Sequence, residues 1–393
     1  MKYWRGYLVA AIFAACTWGL AEFAKAHWAL VDMVYPYVTR LIQDYLVNWN
    51  AGVPFCLWQL LLIAGAVLVL ASAVLMVIFK WNPIQWFGWV VAAAAIVGFA
   101  NTAIFGLNNY AGSIAGDIRL EITDYSMDEL EDAAKFYLDE ANALAKKVSR
   151  NGDGTLNYPE FQELAVMAAD GFHNQVYERF NPVFAGNTTP VKTLGWENLF
   201  SKRGITGMTV GITGEAAVNP ETPAVAMPYA MSRQMAERMC VTGDQDAAFA
   251  AFMACDASNH AEFRYAGYFM AYRYCYETLL SLDTASARAG AAELAQKENA
   301  ELKQDLENYN NSFAALGDAA LLAQVSEDTE MEWHHIADLL VSWHIQEYVL
   351  PAMEEEEVLF DPLDPTQIDL TTTVETLVRE EETEETTGEE TDA

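Results

Sequence analysis

The sequence predicts an α-helical membrane region of three transmembrane helices joined to a mainly α, α+β extracytoplasmic domain. Three observations carry this. The first 110 residues hold three long apolar runs, two of them without a charged residue. Beyond them, apolar residues recur at the three-and-four spacing of amphipathic helices. One stretch, 205–219, alternates β-branched residues with Gly and Thr as a hairpin does.

The composition bounds the rest. At 393 residues the chain exceeds one typical domain of roughly 100–200. Lys and Arg number 22 against 55 Asp and Glu, a net charge of −33 that repels phosphate backbones and excludes a nucleic-acid binder. With 53% hydrophobic and 20% charged residues the chain as a whole is not disordered. Five cysteines without a Cys-x-x-Cys spacing exclude a zinc ribbon and a thioredoxin-type site.

The runs place spans at about 7–24 (broken only by Glu22), 54–79 and 86–107. Trp81, Trp86 and Trp89 cluster where the second and third runs meet the membrane surface. Lys2 and Arg5 precede the first span, and Lys80 lies in the link before the third. The positive-inside rule therefore puts the N-terminus in the cytoplasm and the main domain outside a cell membrane crossed several times. The link between the first two spans, with Lys25 and Arg40, falls outside as well and is given no element. A lipoprotein signal ending at Cys16 is disfavoured, because the apolar run continues to Ala24 and two more spans follow. The organisation is then 1–110 transmembrane, 111–350 extracytoplasmic, and 351–393 a disordered tail. From Glu354 onward that tail carries sixteen acids against the single Arg379.

In the outer domain, Asp117 to Ser149 reads as an amphipathic helix opened by the capping box Ser126–Glu129. A turn follows that nearly fits a calcium loop: Ser149, Asn151, Asp153, Thr155, Asn157 and Glu160 at the ligand positions, with Gly154 at the sharp turn. Ser149 supplies no carboxylate, and a plain Gly-rich turn is the competing reading. The 205–219 stretch gives two short strands turning at Gly214. Helices are expected at about 229–242, from 244, at 263–282, along 285–316, and at 332–349. The aromatic run in the third reads as core. Cys240, Cys255 and Cys275 leave room for one disulfide, with no pair preferred.

Several of these segments together resemble one family, the bacterial membrane proteins catalogued as domain of unknown function 3810. They are Phe105-Gly-Leu-Asn-Asn-Tyr110, Tyr125-Ser-Met-Asp-Glu-Leu130, Glu140-Ala-Asn142, Ile205-Thr-Gly with Thr213-Gly-Glu-Ala-Ala-Val-Asn219, Pro228, and Phe263-Arg-Tyr with Tyr272-Arg-Tyr-Cys275. Their order and spacing make the resemblance. It implies a membrane-anchored, zincin-like domain, in which a helix with His-Glu-x-x-His follows the Gly-Glu-Ala-x-Val-Asn strand and a later acidic stretch completes a zinc site.

At the matching positions stands Arg233-Gln234-Met235-Ala236-Glu237. Arg233 has no lone pair for zinc, and Gln234 has no carboxylate to take a proton from water. Glu237 and Asp244 (or Asp246) supply the carboxylates that remain, and Ala248 replaces the family's Asn. Zinc is therefore expected to be lost. Arg233 and Glu237, four residues apart on one helix, can pair instead, with Asp244 closing in. The favoured reading is a metal-free, catalytically degenerate metallopeptidase-like domain. It would bind a peptide along the 205–213 strand or hold a membrane-protein partner. Two others stand beside it: an active zinc peptidase with rebuilt ligands, and a calcium-responsive module using 149–160.

Overall fold

The computed structural model describes residues 4–178, 183–323 and 334–352. The expected spans are helices α1 (Arg5–Ala26), α3 (Leu57–Ile78) and α4 (Pro83–Ile104), each long and apolar enough to cross a bilayer. Asn82 caps α4 by accepting from the amides of Ile84 and Gln85, and Pro83 pre-sets its first turn. α1 and α4 run side by side in one direction. Gly6 meets Gly88 so closely that a Cβ on Gly6 would lie 2.4 Å from the Gly88 carbonyl carbon. Farther along, Phe13 and Phe99 meet edge to face at 5.4 Å. Arg5 and Lys80 thus emerge at one end of the spans, and the chain that follows α1 and α4 emerges at the other.

The link between the first two spans, given no element by the sequence reading, is a long helix, α2 (Trp28–Asn50). Half of its protein-facing stripe is polar: Thr39, Gln43 and Asn50 are buried along with Val31, Pro36 and Val47. Gln43 Nε2 donates to Gly211 O at 2.8 Å, Asn50 Nδ2 to Thr213 O at 2.6 Å, and Arg40 Nε to Met239 O at 2.8 Å. The apolar residues Met33, Tyr37, Leu41, Tyr45 and Trp49 face outward instead. That inversion hid the helix from a search for an apolar core stripe.

After a 3₁₀ turn (Gly106–Tyr110) the chain forms α5 (Ile114–Ile118), then α6 (Met127–Ala145). The continuous helix expected over 117–149 is therefore broken. Residues 120–126 have no regular structure and are tied by the Tyr125 hydroxyl to Asp338 at 2.8 Å and by Thr123 N–H to Ser342 Oγ at 3.4 Å. The capping box at Ser126 and Glu129 is present and opens α6. α7 (Phe161–Met167), α8 (Ala169–Glu178), strand β1 (Lys192–Thr193) and α9 (Glu197–Ser201) follow.

The hairpin is β2 (Gly207–Val210) and β3 (Glu215–Val218), turning at Gly214 with φ +71°. The sheet order is β1-β3-β2, with β1 parallel and β2 antiparallel to the buried centre strand, Ala217 facing both Lys192 and Met208. α10 (Met227–Arg238) packs beneath it, and α11 (Asp244–Asp256) and α12 (Ala261–Ser281) follow. The aromatic run of α12 is core: Phe263, Tyr265, Phe269, Tyr272 and Tyr274 are buried against the neighbouring helices.

The long helix expected over 285–316 is instead three: α13 (Ala285–Lys297), α14 (Ala300–Asn310) and α15 (Ala314–Ala323). Asn299 ends the first by capping the second, and it donates twice to Asn142 of α6, from its backbone N–H to Asn142 Oδ1 and from Nδ2 to Asn142 O, both at 2.8 Å. α16 (Ile336–His344) closes the described fold, continuing into a π turn at Ile345–Val349. Residues 1–342 form one compact unit and a second begins at Trp343. The acidic tail expected over 351–393 lies, from residue 353 on, outside the described residues.

No disulfide forms. All five cysteines are free, and Cys240, Cys255 and Cys275 are buried at the end of α10, in α11 and in α12. Close packing holds them as small apolar groups. Cys255 lies against Gly267 and 3.5 Å from Ser232 Oγ, and burial pushes its thiol up to about 12.

Candidate functional site

α10 carries Arg233, Gln234 and Glu237. Met231, Met235 and Ala236 are fully buried, which fixes the helix, while Arg233 and Glu237 stay partly exposed. β2 can approach because position 207 is Gly: a Cβ there would sit 2.6 Å from Gln234 Cγ. Thr209 Oγ1 then reaches Gln234 O at 3.1 Å and Gln234 Oε1 at 3.0 Å. Gln234 Nε2 donates to Glu237 Oε1 at 3.1 Å.

A tight turn after α10, with Cys240 at φ +77°, brings the start of α11 back toward Arg233. Arg233 Nη2 donates to Asp244 Oδ1 at 2.9 Å, and Arg233 Nε lies 3.5 Å from Glu237 Oε1. The guanidinium thus bridges two carboxylates on consecutive helices. Burial raises the Glu237 carboxyl, Arg233 pulls it back down, and Asp244 adds to the rise. The guanidinium itself is opposed by burial, yet the Glu237 and Asp244 charges hold its proton more firmly than usual. The site offers one fixed cation, one carboxamide and two carboxylates, with no imidazole among them.

Asp246, the alternative third carboxylate, is not part of this group. It is buried on the other side of the turn, accepting from Ser113 Oγ at 2.9 Å and Ile114 N–H at 3.3 Å. The histidines are dispersed. His173 meets Thr188 Oγ1, His260 precedes α12, His335 meets Leu322 O, and His27 packs on Phe23. Among the described residues no three His, Cys, Asp or Glu side chains are grouped to hold a metal ion.

The calcium-like segment has its turn but uses its groups on itself. Gly154 takes φ +85°, and Asp153 Oδ1 accepts from Thr155 N–H at 3.0 Å and Thr155 Oγ1 at 2.6 Å. Those bonds hold the Asp153 carboxyl below its usual range. Asn151 Nδ2 donates to Thr155 Oγ1 at 2.9 Å, Ser149 O accepts from Asn157 N–H at 2.9 Å, and Glu160 precedes α7. Arg150 turns inward and donates to Gly154 O at 2.9 Å, so a guanidinium grips the loop backbone. The same group forks onto Asp305 at 3.2 and 2.6 Å.

Sequence reasoning missed a second junction. The Glu215 carboxylate accepts from the first amides of α3, Leu57 N at 2.7 Å and Trp58 N at 2.9 Å, and from Lys192 Nζ at 2.7 Å. A helix long and apolar enough to span a membrane is thereby capped by a strand residue of the sheet. A carboxylate in an otherwise apolar, buried strand was the available signal.

A family model described as "Protein of unknown function (DUF3810)" matches residues 31–328. No curated protein and no solved structure matches the chain.

Proposed function

The chain belongs to the protein family of unknown function DUF3810, and we propose that it works as a membrane-anchored, catalytically degenerate zincin-like domain that binds rather than cleaves. The observation that carries this is Arg233 bridging Glu237 and Asp244. In a zincin, the positions of Arg233 and Glu237 are imidazoles sharing one helix face around zinc. A guanidinium cannot donate a lone pair and its charge repels a divalent ion, while it satisfies the carboxylates that a metal would otherwise neutralise. Gln234, bonded to Glu237 and Thr209, has no basic oxygen to activate water.

The frame suits a binding role. β2 lies at the edge of the three-stranded sheet, directly over α10, where an extended peptide can add as a further strand. The spans and the outward apolar face of α2, with Tyr37, Tyr45 and Trp49, support a bilayer as the first partner. Arg5 and Lys80 at the opposite end of the spans favour an extracytoplasmic domain.

Metal analysis of the full chain, purified in detergent without chelators, tests the reading. Zinc should be far below one equivalent. Stoichiometric zinc that disappears in Glu237→Ala would overturn it and restore a metallopeptidase.

A further inference from the structure

Beside the ends of α1 and α4, three cavities share Asp32 and Asp117 in their walls. The widest, about 1210 Å³, carries the acids Asp32, Asp117, Glu121, Asp124 and Asp338 together with His334, and among the described residues neither Lys nor Arg lines it. A second, of about 130 Å³, lies between Pro36, Tyr37, Arg40 and Asp117. The third, about 20 Å³, has room for one water-sized group and ends on Asn108, Thr242 and Asp246.

That narrow end holds orphaned polar atoms. Asn108 is 2% exposed, and its Nδ2 donates to Phe105 O at 2.9 Å, which fixes how the carboxamide points. Its Oδ1 accepts nothing, and Thr242 Oγ1 has no partner either. A buried carboxamide oxygen of this kind lacks a donor. Asp246 accepts from Ser113 Oγ and Ile114 N–H, and Asp32 from Gly112 N–H at 2.9 Å. Arg40 lines the two smaller cavities, with its Nε committed to Met239 O. Burial pushes Asp246 up to about 7, and burial with the Asp32 charge raises Asp117, with the Arg40 charge pulling it part of the way back.

We propose that this cleft binds a primary ammonium group, its NH₃⁺ seated at the narrow end between Asn108 Oδ1 and the Asp117 and Asp246 carboxylates. An ammonium presents three donors and no acceptor from a centre about the size of a water, and its alkyl stem leads out through the wide cavity past Leu120 and Trp28. A guanidinium is too broad for the narrow end. A metal ion would need convergent carboxylates, and among the described residues none converge in threes. Because the cleft opens where the spans end, the ammonium can belong to a free polyamine or to an aminolipid headgroup.

The test uses the full chain in phosphatidylcholine nanodiscs, titrated with spermidine in a calorimeter. Saturable binding is expected, weakened about tenfold or more in Asp117→Asn, which keeps the side-chain shape, and in Asn108→Leu, which removes the orphaned acceptor. Thermal unfolding of both variants separates lost binding from lost fold. Nanodiscs containing phosphatidylethanolamine distinguish the sources. Weaker apparent spermidine binding there assigns the site to the lipid headgroup, and unchanged binding assigns it to the free polyamine. Three results overturn the proposal: no saturable binding, an Asp117→Asn variant that binds like the parent, or displacement of spermidine by an equal concentration of Mg²⁺.

Discussion

The Glu215 carboxylate lies 2.7 Å from the Lys192 ammonium, and the Glu215 side chain is fully buried. The same carboxylate accepts from the amides of Leu57 and Trp58, so one ion pair ties strands β1 and β3 to the first turn of a membrane span. Removing Glu215 would strand a cation and two amide donors together. Glu215→Ala should cost about 3–5 kcal/mol, whereas Lys192→Met, which leaves Glu215 its amide donors, should cost clearly less. Denaturant titration of both variants in micelles checks the order, and equal losses would show that the amide contacts contribute nothing.

Arg233 is held less deeply, with its side chain 20% exposed and that of Glu237 19%. Arg233→Met should destabilise by about 1–3 kcal/mol, because two carboxylates are left facing each other. Adding Glu237→Gln should restore part of the loss. A double-mutant cycle measures this, and strictly additive costs would mean that the pair is not coupled.

The pH dependence follows from Asp246, raised by burial from an ordinary 3.8 to about 7. The folded chain then holds this proton more tightly than the unfolded one. The resulting stability is full below about pH 4 and is lost as pH rises through about 7. Asp246→Asn cannot titrate, so its stability relative to the parent should improve between pH 4 and 8, by something on the order of a few kcal/mol. Parallel melts across that range read the difference, and a flat difference would refute the shift.

At the 149–160 loop, Arg150 bonds both Gly154 O and Asp305, and Tyr265 completes Asp305 at 2.6 Å. Arg150→Met should cost about 3 kcal/mol by leaving Asp305 without its cation. Millimolar Ca²⁺ should leave the melting temperature of the parent unchanged. A clear upward shift would show that the loop rearranges to bind the ion.

How much was legible in the sequence depended on how local each cause is. The hairpin could be read because Gly214 and the alternating strands encode it within a dozen residues. The Arg233–Glu237 pair follows from helical spacing, and Asp244 from a short turn. Asp246 could not be placed, since its partner Ser113 lies 133 positions away. The break near Asn299 is likewise set by Asn142, 157 positions earlier, in a stretch whose Ala-rich composition suits an unbroken helix. α2 was hidden for another reason: the face that packs on the protein is half polar, and its large apolar side chains point outward.

That polar face has a consequence for how the protein is made. Arg40 finds its acceptor 199 residues downstream, and Gln43 finds its own 168 residues downstream. At synthesis rates of about 5–20 residues per second, α2 leaves the ribosome roughly 10–40 s before Met239 exists to receive Arg40. Throughout that interval the helix has an oily side and an unsatisfied side, so the segment's polar groups must stay in water until the remainder arrives. A chain stalled short of residue 239 would therefore leave Arg40 without its Met239 acceptor and be an early target for proteolysis.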